Sequence, residues 1–68
     1  MYKLRVKEVA QEHGLNMTQL SLEVKIDFNT IKALFRDPHR DVRFHTLIRI
    51  AEGLNIDLCE LFEKEPDN

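Results

Sequence analysis

The chain has 68 residues, of which 43% are hydrophobic and 32% are charged, a composition that excludes a disordered protein and allows one small domain. No apolar run exceeds three residues, which excludes a membrane-spanning helix or a signal peptide. The single cysteine, Cys59, cannot form an internal disulfide, so we expect a cytoplasmic protein.

The net charge of −2 is unevenly distributed along the chain. Residues 1–24 are neutral, residues 25–49 carry a charge of +3, and residues 50–68 carry −5. A polyanion responds to the local field rather than to the total charge, so the basic middle of this acidic chain is compatible with nucleic-acid binding.

The first helix is predicted from about Leu4 to Glu12. Its apolar residues Val6, Val9 and Ala10 recur at helical spacing. Gly14 then ends the helix, because glycine adopts the left-handed conformation found after helix ends.

A second helix is predicted to begin at Asn16 and to break at Lys25-Ile26. Asn16 followed three residues later by Gln19 is typical of a capping box, in which each side chain bonds the other residue's backbone N–H. The positions predicted to be buried are Met17, Leu20, Ser21 and Val24.

Asp27 is predicted to cap a third helix that runs from Phe28 to about Phe35. One face of this helix is apolar and carries Ile31, Leu34 and Phe35. The outward positions combine a short amide, a small residue and two cations: Asn29, Lys32, Ala33 and Arg36.

The remaining elements are a charged loop and two helices. The loop from Asp37 to Arg43 contains Pro38, and the fourth helix follows, from about Phe44 to Gly53, with Asn55 at its end. Its inward residues are predicted to be Phe44, Leu47, Ile50, Ala51 and Leu54. A short fifth helix, capped by Asp57 and Glu60, is predicted to pack Leu58, Cys59, Leu61 and Phe62.

The second and third helices have about eight residues each and are joined by only about three, so they must cross steeply. This is the helix-turn-helix arrangement, whose second helix can enter the DNA major groove, about 12 Å wide. Asn29 can pair with adenine through its amide, and Lys32 can reach guanine or a phosphate.

The order and spacing of several short motifs resemble the XRE family, the Cro and phage-repressor type of helix-turn-helix domain. The resemblance covers about Val6 to Phe62. The motifs are Gly14-Leu15-Asn16, then Leu20, Val24 and Ile26, then Asn29-Thr30-Ile31 and Leu34, then Thr46-Leu47, Ile50-Ala51 and Leu54, and finally Leu58-Cys59-Glu60-Leu61-Phe62.

The resemblance implies an all-α fold, a compact five-helix bundle of the lambda-repressor type with a central helix-turn-helix. The domain would span residues 1–62, and residues 63–68 would form a frayed acidic tail. Members of the family typically bind double-stranded DNA as homodimers on two-fold operators, so the same partners are expected for this chain.

The resemblance also implies which residues contact DNA. Base contacts are expected from Phe28, Asn29, Lys32 and Ala33. Phosphate contacts are expected from the start of the second helix, from the turn and from the loop, at Asn16, Met17, Lys25, Arg36, Arg40 and Arg43.

Three residues depart from the family pattern. Met17 stands where many members have Gln, so a side-chain donor is missing, although the backbone N–H can still meet a phosphate. Lys25 stands where the turn usually has Gly, and a left-handed lysine costs about 1 kcal/mol. Phe28 replaces a small or polar residue and is equally suited to packing at the core edge and to touching a thymine methyl group.

The sequence leaves two functions open. The first is sequence-specific binding of duplex DNA by a small transcriptional regulator that represses by occupying promoters. The alternative is a protein-interaction module, such as an antitoxin, whose acidic C-terminal segment binds a basic partner. Neutralisation of the cations by Asp27, Asp37 and Asp41 would favour that alternative.

No motif in the chain indicates catalysis or a metal site. His13, His39 and His45 with Cys59 match no compact zinc pattern, and there is no glycine-rich phosphate loop. A chain of this size also offers no sizeable pocket. We therefore expect no enzymatic activity, cofactor, metal or small-molecule substrate.

Overall fold

The computed structural model describes residues 2–66. In chain order the elements are β1 (Tyr2–Leu4), α1 (Val6–Glu12), α2 (Met17–Val24), α3 (Phe28–Arg36), α4 (Phe44–Leu54), a 3₁₀-helix (Leu58–Leu61) and β2 (Phe62–Lys64). Within this part of the chain, no helix is long and apolar enough to cross a membrane.

A single apolar core joins the helices, and each of them contributes a fully buried side chain to it. These side chains are Val6 of α1, Leu20 of α2, Ile31 of α3, Ile50 of α4 and Leu61 of the 3₁₀-helix. All five were predicted from the sequence to lie in the core. No polar or charged residue of the described range is buried, so the core is held by apolar packing.

The predicted five-helix bundle is wrong at the N-terminus, where Leu4, the predicted start of the first helix, belongs to β1 and α1 begins only at Val6. β1 pairs antiparallel with β2, and Leu4 lies opposite Phe62. Lys3 Nζ lies 3.2 Å from Glu63 Oε1 across the strands, and the rings of Tyr2 and Phe62 meet edge to face with centroids 6.1 Å apart. These contacts join opposite ends of the chain, so local spacing could not predict them.

The C-terminal end corrects three further predictions. The last helical element is a single 3₁₀ turn, and Cys59 on it is exposed rather than packed in the core. The predicted frayed tail is also wrong for Glu63 and Lys64, which belong to β2 together with Phe62. Asp67 and Asn68 of that tail lie outside the described residues. The fold is therefore mostly helical with a two-stranded sheet.

One predicted core residue of α4 is exposed. Leu47, Ile50, Ala51 and Leu54 are buried as predicted, but Phe44 is 65% exposed. Phe44 occupies the first position of α4, and the buried face of the helix begins about one turn later at Leu47.

α2 and α4 approach closely at Gly53. A Cβ atom at this position would lie 2.7 Å from Cγ1 of Val24 and 3.1 Å from its Cα. Val24 is buried in the last turn of α2, so its atoms have little room to move. Gly53 therefore allows the close approach of α2 and α4.

We expect Gly53→Ala to lower the free energy of unfolding by about 1–3 kcal/mol through overpacking, although alanine favours a helix over glycine by about 1 kcal/mol. Urea unfolding followed by circular dichroism measures this. Val24→Ala removes the Cγ1 atom at 2.7 Å and keeps the Cα and Cβ atoms at 3.1 and 3.2 Å, so Gly53→Ala should cost less when introduced into that variant. Strictly additive effects of the two substitutions would contradict the close contact.

Candidate nucleic-acid interface

The turn between α2 and α3 determines where α3 points. Lys25 is left-handed, with φ 57° and ψ 46°, and its N–H donates to the carbonyl of Ser21. The N–H of Ile26 donates to the same carbonyl at 3.1 Å, and Oγ of Ser21 donates to the carbonyl of Ile26 at 2.6 Å. These bonds close the end of α2 and direct the chain into α3 within three residues.

Both helices of the motif begin with the side-chain caps that the sequence predicted. Oδ1 of Asn16 accepts from the N–H of Gln19 at 2.7 Å, and Oε1 of Gln19 accepts from the N–H of Asn16 at 3.0 Å. Oδ2 of Asp27 accepts from the N–H of Thr30 at 3.2 Å. The cap occupies the oxygen of the exposed Asn16 side chain, which leaves its amide N–H groups for a phosphate.

α3 buries one face in the core and presents the other to solvent. Ile31 and Leu34 are buried, and Phe35 is half-buried against them. Of the four predicted base-contact residues, Asn29 and Lys32 are exposed and Ala33 is half-buried at the border of the two faces. Phe28, next to Asn29 in the first turn of α3, is 39% exposed.

The predicted phosphate-contact residues lie around this exposed face. Lys25 lies in the turn before α3, Arg36 is the last residue of α3, and Arg43 is the N-cap of α4. Arg40 and Arg43 line one depression together with Thr30, Asp41 and Thr46. Met17 is half-buried against the core, so its backbone rather than its side chain remains for a phosphate.

The terminal strands hold the loop that carries Arg40. The N–H of Leu4 donates to the carbonyl of Pro38 at 2.7 Å, and the ring of His39 bonds the carboxylate of Glu65. The N–H of Arg5 donates to the carbonyl of Leu61 at 2.6 Å, which ties β1 to the end of the 3₁₀-helix. The loop segment just before Arg40 is therefore held by bonds from Pro38 and His39 to the two ends of the chain.

Five exposed cations make up what we call the basic surface: Lys25, Lys32, Arg36, Arg40 and Arg43. Within residues 2–66, the ion pairs are Lys3–Glu63, Arg5–Glu12 and His39–Glu65, and none of them involves the basic surface. The carboxylates of Asp27 and Asp37 accept backbone N–H bonds instead, from Thr30 and His39. Within residues 2–66 none of Asp27, Asp37 and Asp41 forms an ion pair with these cations, although Asp41 lines the same depression as Arg40 and Arg43.

A family model described as helix-turn-helix matches residues 6–61, which include all four α-helices and the 3₁₀-helix. The chain belongs to the helix-turn-helix family of the XRE type. This confirms the resemblance drawn from the ordered motifs.

This helix-turn-helix chain is also similar to a protein of Haemophilus influenzae named as an uncharacterized HTH-type transcriptional regulator. The two are 33% identical over 48 residues, which make up 71% of this chain and 46% of that protein. The chain therefore spans just under half the length of this relative.

Sequence reasoning about the helix-turn-helix missed one cation, Lys7 of α1. The structure places it around a depression that Lys32 and Arg36 also line. Its spacing within α1 indicates only that it is exposed. Its position beside α3 depends on how the helices pack, which no local pattern shows.

The strained position in the turn can be tested by comparing two left-handed residues. Lys25→Gly should raise the free energy of unfolding by up to about 1 kcal/mol, because glycine has no Cβ penalty at φ 57°. Asn55→Gly at the end of α4 is the matched control and should gain less, since asparagine tolerates this conformation. Urea unfolding measures both, and a gain confined to Asn55→Gly would contradict the strain at Lys25.

Proposed function

We propose that this chain binds duplex DNA sequence-specifically as a small transcriptional regulator, with α3 in the major groove. The observation that carries the proposal is the arrangement around α3. Its exposed face presents Phe28, Asn29 and Lys32, while Ile31 and Leu34 on the other face are buried. The basic surface beside it has no ion-pair partner within residues 2–66.

The proposed interface contains phosphate contacts and base contacts, which have different roles. The cations of the basic surface bind phosphates and hold α3 in register without reading sequence. Base discrimination comes from Asn29, whose amide pairs with adenine, and from Phe28, whose ring touches a thymine methyl group. Ala33, small and half-buried, allows close approach of α3 to the groove.

The charge arrangement favours DNA over a basic protein partner. Cations without ion-pair partners around α3 attract phosphates and repel a basic protein. Here Asp27 and Asp37 bond backbone N–H groups rather than the cations. The acidic C-terminal segment points to no particular partner, so the protein-interaction alternative has no specific observation behind it.

We further propose that two copies bind a two-fold operator and repress transcription by covering promoter DNA. A single α3 reads only a few base pairs, and two copies double the readout. Selection from random duplexes followed by sequencing tests this directly. The expected result is an enriched two-fold motif whose half-sites lie about 34 Å apart, or one helical turn. Recovery of unenriched sequence would contradict sequence-specific binding.

Substitutions of the two kinds of contact residue should behave differently on the selected duplex. Asn29→Ala should lose about 1–3 kcal/mol of discrimination at one base-pair position. Arg40→Ala and Arg43→Ala should weaken binding to selected and random duplexes by the same factor. Fluorescence anisotropy on both duplexes measures these effects. An equal loss on both duplexes for Asn29→Ala would contradict base reading by Asn29.

A further inference from the structure

α1 brings a cation to the side of the helix-turn-helix, at a depression that we name the Met17 depression. It is lined by Lys7 of α1, Met17 of α2, and Lys32, Phe35 and Arg36 of α3. Three of these five side chains are cationic, and none of them is acidic. The depression lies where the start of α2 meets the exposed face of α3.

The ion pairing of Lys7 differs from that of the other cations near the N-terminus. Lys3 pairs with Glu63 and Arg5 pairs with Glu12. Lys7, Lys32 and Arg36 have no such partner among the carboxylates of residues 2–66. Three cations around one depression repel each other, and an anion that binds there relieves this repulsion.

The floor of the Met17 depression strengthens this attraction. Met17 and Phe35 are half-buried and pack against the core, so the cations stand on an apolar surface. Charges beside low-dielectric groups interact more strongly than charges in open water. Lysine and arginine side chains also cover such surfaces with their aliphatic parts while their charged ends stay in water.

The position of the depression identifies the anion. Lys32 belongs both to the depression and to the exposed face of α3, so the depression continues the proposed DNA interface without a gap. Lys7, Met17 and Phe35 also line a second depression, which extends past Gln11 to Asn16 at the start of α2. A DNA strand that follows this path from α3 meets cations and amides but no carboxylate among the described lining residues.

We propose that Lys7 and Arg36 bind a phosphodiester of the DNA backbone at the Met17 depression, an inference that rests on the proposed DNA binding. Met17 supplies no side-chain donor at the start of α2, and Lys7 supplies the cation from the neighbouring helix instead. Lys7 is a positioning residue in this arrangement, because a phosphate contact fixes register and carries no sequence information. The DNA-contacting surface then includes α1.

The test compares Lys7→Ala with Lys64→Ala, which removes the same charge from the exposed face of β2. Fluorescence anisotropy gives affinities for the selected duplex and for a random duplex over a range of salt concentrations. Lys7→Ala should weaken both duplexes by the same factor. It should also reduce the slope of log affinity against log salt concentration by about 0.9 per lost contact. Raising the salt from about 50 to 200 mM should then lower the affinity by a factor that is about three times smaller than for the wild-type protein. Lys7→Arg should retain the wild-type slope.

Each alternative outcome has a defined meaning. If wild-type protein binds the selected duplex but Lys7→Ala matches Lys64→Ala, the Lys7 proposal is overturned and the proposed function stands. If Lys7→Ala weakens only the selected duplex, Lys7 contacts a base rather than a phosphate. If inorganic phosphate at constant ionic strength displaces the duplex, and Lys7→Ala abolishes this competition, the depression binds a free anion instead. If wild-type protein binds neither duplex, both proposals fail.

Discussion

The left-handed turn at Lys25 is the constraint on which the rest of the site depends. It allows α2 to end and α3 to begin within three residues, the short connection typical of the helix-turn-helix. Three hydrogen bonds hold it: the N–H groups of Lys25 and Ile26 bond the Ser21 carbonyl, and the Ser21 hydroxyl bonds the Ile26 carbonyl. Lys25 is strained in the left-handed conformation, and its side chain places a cation in the turn before α3.

The core and the terminal sheet keep this turn in place from two directions. α4 supports the end of α2 through the close contact of Gly53 with Val24, which allows no side chain between the helices. The strands brace the loop after α3 through the bond from Leu4 to Pro38. As a result, α3 is fixed at both of its ends while its exposed face remains uncovered by the described part of the chain.

Local signals predicted the central motif because its elements are determined by neighbouring residues. The caps at Asn16 and Asp27 act within one helical turn, and the buried faces follow from helical spacing, so both were predictable. The terminal strands were not, because Lys3 and Glu63 are brought together only by the completed fold. The burial predicted for Phe44 was also wrong. Its apolar side chain predicts burial, but Phe44 is the first residue of α4 and lies outside the core. For the site, the exposure of Asn29 and Lys32 followed from spacing, whereas the place of Lys7 required the packing of α1 against α3.

We propose that α3 and the cations around it form the DNA-contacting surface. Two-dimensional amide NMR during titration with a selected duplex measures this surface residue by residue. The largest shifts should fall on residues 28–33 of α3, with further shifts at the start of α2 and in the loop that contains Arg40 and Arg43. Shifts concentrated on the terminal strands and the 3₁₀-helix, with α3 unaffected, would contradict the proposed surface.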